Sequence, residues 1–366
     1  MSVADLALQR SKYKHLSDDE WRWFLQQVEG RERTAEKLPT FAAIEDWWYP
    51  VRLSCEQCSS ELAARYKASL VNGERMVDLT GGYGVDTYFL SEVFEHTDYI
   101  EQNAELCRIA AHNFANKPIS IHNTTAEDFL KTAGQYDLIF LDPARRDSHG
   151  GKVFRLEDCT PNVIELLRTL LAHGKQILIK LSPMLDLTQA VTALSPESWD
   201  IHVVAIKNEV KEVLLLSGGT GQITAIDLVQ KDQAFIFTRE EESNCTITNN
   251  QSPITFIYEP NAAILKAGAY KLVAQRFGLQ KLDINTHLYG SEQFVPEFPG
   301  RVWKVVEKQD LKQANVLCRN YPLTPEQLKK KLHLRDGGTA FVIGCRVAGK
   351  PTLFYAERVE DIHPER

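Results

Sequence analysis

Three short stretches carry residue types at spacings that could do chemistry. In YDLIFLDPARRD, residues 136–147, an apolar run climbs to a single acid, Asp142, followed by Pro143 and two arginines. A buried strand ending on a carboxylate leaves a hydrogen-bond acceptor at its tip, and Pro143, which has no N–H, leaves its carbonyl as a second. Asp142 fits either an open crevice or the N-terminus of a neighbouring helix. MVDLTGGYGVDTYFL places Asp78 near the end of an earlier run, with Thr80, Gly81, Gly82 and Gly84 in the turn before a helix. Such glycines let the backbone approach a ligand, and a helix start offers N–H groups to a carboxylate or phosphate. The turn alone suits a dinucleotide site, another ligand loop or a tight structural turn. TDYIEQN then puts Glu101 and Gln102 at the end of a second run, about 20 residues beyond the glycines, where an acid can accept both hydroxyls of a ribose. Glu101 could instead cap the next helix. A third run leads to HNTTAEDFL, where Thr125, Ala126 and Asp128 form a polar turn able to receive an adenine. Together the turns describe a pocket for an adenosine-bearing ligand.

The elements that must position these residues are legible as texture. Residues 1–72 read as helical, with Trp21, Phe24, Leu25 and Val28 at helical spacing and Ser59 or Ser60 as a cap. From Glu74 onward, apolar runs at 76–79, 97–101, 119–123, 136–142, 175–181, 200–206 and 212–217 alternate with helical stretches after the first five. That alternation predicts an α/β fold, a parallel doubly wound sheet over 73–220. The last two runs are separated only by Lys207–Lys211, too few residues for a crossover helix, so they pair antiparallel. Beyond Gly221, QITAIDLV and QAFIFT read as a β pair and EESNCTITNNQS as a polar loop. ITFIYEPNAAILKAGAYKLVAQRFGLQKL reads as strand, turn and one helix stopped at Gly278. RVWKVVE is a strand, LTPEQLKKKL a capped helix, and TAFVIGCRV with TLFYAERV a strand pair. The expected modules are small and α+β, over 221–298 and 299–366.

Composition sets bounds. Hydrophobic content of 43% and charge of 25% over 366 residues fit a globular chain of two or three domains. No apolar stretch is long enough to cross a bilayer and the first residues lack a signal-peptide core, so a cytoplasmic location and no membrane partner are expected. Seven scattered cysteines imply reduced thiols. Cys55 and Cys58 lack the second ligand pair of a zinc site, so packed thiols, and no metal, are the expectation. The net charge of −7 hides a split: Ala262–Lys350 carries fifteen basic against seven acidic residues, +8, and the remainder carries −15.

Asp78–Gly84, Glu101, the Thr125–Asp128 turn and Asp142-Pro143 resemble the successive motifs of class I S-adenosylmethionine (SAM) methyltransferases, and the antiparallel hairpin is similar to that family's last strand. CEQCSSELAARYKASLV ahead of DLTGGYGVD, together with DPARR and FPGRVWKV, looks like the methyltransferases that carry a ferredoxin-like module and a THUMP-like domain. The likeness covers nearly the whole chain and is most specific over Cys55–Asp86. It implies a Rossmann-like seven-stranded core and SAM as cofactor. Asp78, Thr80, Gly81, Gly82 and Gly84 would then lie along SAM, Glu101 and Gln102 at its ribose, and Thr125, Ala126 and Asp128 near its adenine. Thr80 stands where most class I enzymes have glycine; a hydroxyl there could bond the methionine carboxylate. The usual adenine-binding acid falls at Thr125, with Glu127 and Asp128 just beyond.

On this resemblance Asp142 and Pro143 open onto the sulfonium end, where they can accept a hydrogen bond from an amine or ring N–H and orient its lone pair. Arg145 and Arg146 either contact phosphates beside the target or stay solvated and paired, for example with Asp147. Asp-Pro-Ala-Arg is also similar to a motif of uracil-5 RNA methyltransferases, which need a cysteine nucleophile after the next strand. KLSPMLD offers only Ser182, a far weaker nucleophile. Direct transfer to a base nitrogen of a structured RNA is therefore expected. The alternatives are methylation of a protein or small amine, or RNA binding on a non-catalytic core. THUMP domains bind RNA, and Arg301, Trp303, Lys304, Arg319, Tyr321 and Lys329–Lys331 read as a surface that neutralises phosphates and stacks bases. Lys67 and Lys180 read first as structural or solvated, and otherwise as lining the site. Nothing in the sequence points to an oligomeric state.

Overall fold

The computed structural model describes residues 6, 10–145, 156–229, 234–246 and 253–359. They form two compact units, one of residues 1–199 with 213–220, the other of 200–212 with 221–366.

In the first unit the apolar runs are strands: β1 (Gly73–Asp78), β2 (Phe94–Glu101), β3 (Ile119–Asn123), β4 (Tyr136–Leu141) and, after the short ribbon of β5 (Ala144–Arg145) and β6 (Cys159–Thr160), β7 (Gly174–Leu181). All but the ribbon pair in parallel, in the order β3-β2-β1-β4-β7. Strands covered on both faces need apolar residues at successive positions rather than alternate ones, and Leu138, Ile139, Phe140 and Leu141 are all buried. Chain order reverses between β1 and β4, so the two connections leave in opposite directions and a crevice opens at the strand tips. The expected helices follow, at Val85–Leu90, Ala104–Asn113, Ala126–Leu130, Val163–His173 and Leu187–Ala193. N-terminal helices belong to the same unit. Phe41, Trp47 and Tyr49 pack in one core cluster with Tyr83, Phe89, Tyr99 and Phe114, and Trp47 Nε1 donates to Tyr83 Oη at 2.9 Å. An aromatic core thus backs the glycine turn.

Strand β8 (Trp199–Ile206) is joined to β9 (Glu209–Ser217) by Lys207 and Asn208, both at positive φ, the geometry of a tight hairpin. The second half of β9 pairs antiparallel with β7, Leu178 opposite Leu216.

In the second unit β10 (Gln222–Asp227) runs parallel to β8 and antiparallel to β11 (Phe235–Thr238). Seven further strands, β12 (Phe256–Pro260), β13 (Gln280–Asp283), β14 (Thr286–Ser291), β15 (Gly300–Val306), β16 (Asn315–Arg319), β17 (Ala340–Val347) and β18 (Lys350–Arg358), form a sheet in the order β13-β14-β12-β15-β18-β17-β16. Its core holds Ile257, Leu288, Trp303, Ile343 and Ala356. Two segments differ from the sequence reading. The single helix expected after β12 is two, Ala262–Ala267 and Leu272–Arg276, because Gly268 turns left-handed at φ 87°. The Glu242 carboxylate then accepts the N–H groups of Tyr270, Lys271 and Leu272. Glu242 comes from the stretch expected to be a polar loop, which begins as the capped helix Arg239–Asn244; residues 247–252 lie outside the described set. Among the described residues no helix is long and apolar enough to cross a membrane.

Candidate active site

The strand tips frame a cleft of about 290 Å³ whose lining includes Asp78, Thr80, Gly81, Gly82, Gly84, Glu101, Gln102, Thr125, Ala126 and Asp142. That volume is near the lower end for small-molecule pockets. The glycines are there for distinct reasons. A Cβ on Gly81 would come within 2.2 Å of the Tyr99 ring, and one on Gly84 within 2.5 Å of Phe114, so both admit the aromatic backing of the turn. Gly82 sits at φ 54°, and a Cβ placed there would meet nothing nearer than 3.7 Å, leaving an open face on the cleft.

Glu101 holds this turn directly. Its Oε2 accepts the Gly82 N–H at 2.9 Å and its Oε1 the Asn103 N–H at 2.7 Å. Asp78 is buried and accepts from Thr87 Oγ1 at 2.6 Å and the Thr80 N–H at 2.9 Å. Burial pushes its carboxyl up to about 7, against these hydrogen bonds. Thr80 Oγ1 in turn accepts the Asp142 N–H at 2.7 Å. The hydroxyl in the non-glycine position thus ties β1 to β4, a role that the sequence reading did not give it.

Asp142 stands at the tip of β4, and Lys180 Nζ donates to its Oδ2. Lys180, expected to be structural or solvated, is an ion-pair partner of the candidate catalytic acid. Lys67, completely buried, lies 3.1 Å from Asp86 Oδ1, and Ser59 Oγ donates to Asp86 Oδ2 at 2.7 Å. Burial works against the Asp86 charge, but the Lys67 and Lys180 ammonium groups outweigh it and hold the carboxyl below the usual range.

At the third turn Thr124, Thr125, Ala126 and Glu127 line the cleft, whereas Asp128 does not. The Asp128 carboxylate pairs with Lys131 three residues on, one turn along its own helix. Pro143 follows Asp142 but is outside the lining, which continues with Ala144, Thr160 and Pro161. Arg145 enters β5 opposite Cys159; its side chain and all of Arg146 lie outside the described residues. Sequence reasoning missed Ser54, Gln57 and Cys58, which wall the cleft from the N-terminal region. The Cys58 thiol donates to the Cys55 carbonyl and the Cys55 thiol approaches the Pro50 carbonyl. Burial pushes the Cys55 thiol up to about 12 and raises the Cys58 thiol as well.

In the second unit several residues of the expected basic, aromatic surface are engaged by the core or by a buried acid, the two arginines while still partly exposed. Trp303 is 1% exposed and cannot stack a base. Arg301 and Arg319 both clamp the buried Glu259 carboxylate. Lys304, Lys308, Lys312, Lys330, Lys331 and Arg335 remain exposed, while Lys329 pairs with Asp336 at 2.8 Å.

The reversed parallel sheet, its antiparallel closing strand and the glycine cleft define a class I SAM-dependent methyltransferase core. Residues 256–299 match a ferredoxin-like domain family and residues 296–358 a THUMP domain-like family. A crystal structure from Porphyromonas gingivalis W83, described as a candidate methyltransferase, is 35% identical with a TM-score of 0.85, covering 94% of this chain and 92% of that one. Uncharacterised SAM-dependent methyltransferases of two Mycobacterium tuberculosis strains, CDC 1551 and H37Rv, are each 24% identical over 341 residues, 89% of this chain and 92% of theirs. The chain belongs to the SAM-dependent methyltransferases that join a class I core to ferredoxin-like and THUMP-like domains, and SAM is its methyl donor.

Proposed function

We propose that this chain methylates a structured RNA in the cytoplasm by direct transfer, without a covalent enzyme–base intermediate. SAM supplies an electrophilic methyl carbon on a sulfonium. Asp78, Thr80, Gly81, Gly82 and Gly84 form its bed, Glu101 accepts the ribose hydroxyls with Gln102 alongside, and Thr125, Ala126 and Glu127 wall the adenine. Asp128 is left out of that wall, its carboxylate being taken by Lys131. Asp142, with the Pro143 carbonyl, orients the acceptor, and Arg145 and Arg146 are assigned to phosphates of the RNA. The supporting observation is that Glu101 and Asp142 line one cleft, the first bonded to Gly82 and the second to Thr80, so both ends of a bound donor are addressed by the same glycine turn. Residue types at the β4 tip favour a base nitrogen as the acceptor.

RNA is favoured over a protein or small amine by the THUMP-like match and by the exposed Lys304, Lys308, Lys312, Lys330, Lys331 and Arg335. Phosphate neutralisation by such groups releases counterions and makes affinity fall steeply with salt. A salt titration of binding to a mixed RNA pool tests this: a steep slope is expected, and no binding at low salt would turn the reading towards a protein or small-molecule acceptor.

A further inference from the structure

The short helix Arg52–Gln57 gives one wall of the cleft a mixed apolar and amide character. Ser54 and Gln57, with Cys58 just past the last turn, line the cleft, as helical spacing allows, since residues three and four apart share a face. Leu53 precedes Gln57 by four, so the two stand side by side, about 5–6 Å apart at Cβ. Leu53 is 60% exposed and Val51, at the start of the helix, 55%. Exposed apolar surface at the rim of a cleft is a contact surface.

A chain of contacts fixes the end of the cleft that this helix borders. Ser59, two residues after Gln57, donates to Asp86 Oδ2 at 2.7 Å. The Asp86 carboxylate and the Cys58 thiol both feel the Lys180 ammonium, and Lys180 donates to Asp142. The helix therefore belongs to the Asp142 end, where the methyl group is transferred, and not to the Glu101 end.

Two groups meet at that end, the amino-acid end of SAM and the acceptor. The first is zwitterionic and gains nothing from Leu53 or Val51, because charged groups are not stabilised by apolar neighbours. A nucleobase has apolar faces and a hydrogen-bonding edge, and the wall matches both. Leu53 offers aliphatic contact. Gln57 offers a carboxamide, with donor and acceptor side by side, the geometry that pairs two groups on one base edge. Gln57 is exposed, and its carboxamide makes no hydrogen bond among the described residues, so a base entering here displaces water alone. A base reaches such a wall once it is turned out of its stack.

We infer that helix Arg52–Gln57 is the acceptor wall of the cleft, with Gln57 as the specificity-determining residue that bonds the edge of the target base and Leu53 as the apolar contact on its face; the inference rests on the RNA reading above. The N-terminal region then selects the base that Asp142 orients, while the glycine turn and Glu101 serve the donor.

The test incubates the full chain with methyl-tritiated SAM and total RNA from cells lacking the protein, and follows the initial rate of label entering RNA at limiting RNA concentration. Gln57→Leu should lower that rate about 10–100-fold, the scale on which a paired contact to a base edge discriminates, with SAM affinity by calorimetry unchanged. Leu53→Ala should lower it about 3–10-fold through lost apolar contact, again without change in SAM affinity. Both side chains are exposed, and thermal melting checks that the variants fold. Gln57→Glu keeps the shape and removes the amide donor; a parental rate in that variant overturns the hydrogen-bonding role. No label in RNA with the parent chain overturns the RNA reading and this inference together. Label with the parent and an unchanged rate in Gln57→Leu overturns this inference alone, and so does a fall in SAM affinity that accounts for the lost rate, since the helix would then serve the donor.

Discussion

The backbone N–H of Asp142 donates to Thr80 Oγ1 at 2.7 Å, so the side chain of one strand tip fixes the main chain of the next. Thr80→Val keeps the branched shape and removes the acceptor. It should cost about 1 kcal/mol, the net worth of one hydrogen bond, and lower turnover more than donor affinity, because Asp142 loses its fixed height. Thr80→Ser should retain most of both. Chemical denaturation and initial rates on the three proteins check this; equal behaviour of Val and Ser would contradict it.

Two glycines of the turn should fail differently. Gly84→Ala combines a left-handed φ of 82° with a Cβ 2.5 Å from Phe114, and should destabilise by about 2–4 kcal/mol through backbone strain and overpacking. Gly82→Ala, at φ 54° with open space, should cost only about 1–2 kcal/mol. Its methyl group would intrude on the donor's bed, so donor affinity should fall more than stability. Melting curves and calorimetry on both variants separate the two effects.

Asp78 makes stability depend on pH in an unusual direction for a carboxylate. Burial raises it to about 7 in the folded chain, against an ordinary 3.8. The native state then holds the proton that the unfolded state releases, so its contribution is full below about 4 and is lost as pH rises through about 7. Asp78→Asn is neutral throughout. The unfolding free energy of the parent minus that of the variant should decline from pH 4 to pH 7; a flat or rising difference would contradict the assignment.

Glu259 bonds Arg301 and Arg319 from strands β15 and β16 while itself only 2% exposed. Glu259→Gln leaves two guanidinium groups without their counter-charge. Because both are partly solvated, the expected cost is about 1–3 kcal/mol rather than the larger penalty of a sealed pair. Denaturant unfolding followed by circular dichroism measures it, and unchanged stability would show that the clamp contributes nothing.

β4 and β7 are legible because strands covered on both faces read as near-continuous apolar runs, and all seven expected strands fall within a few residues of their limits. Strands β13, β14 and β16 are not, since LDINTHLYGS and ANVLCR are polar or half-buried and lack a clean alternation. Asp142 lines the cleft as its place in the sequence suggests, but its partner escapes a reading along the chain. Register carries that information: Leu141 pairs with Ile179 across β4 and β7, so the next residue on each strand, Asp142 and Lys180, must be neighbours. Asp128 lies outside the cleft lining because helical spacing hands its carboxylate to Lys131. The Trp47–Tyr83 contact spans 36 residues, and no local pattern encodes such a pairing.

We propose that the tips of β1, β2 and β4 hold SAM, with Glu101 at its ribose. Titrating SAM into the purified chain by calorimetry should reveal one site, and Glu101→Ala should weaken it at least about tenfold, as expected for losing a charged acceptor of two hydroxyls. No heat with the parent chain, or equal affinity in the variant, would contradict the account.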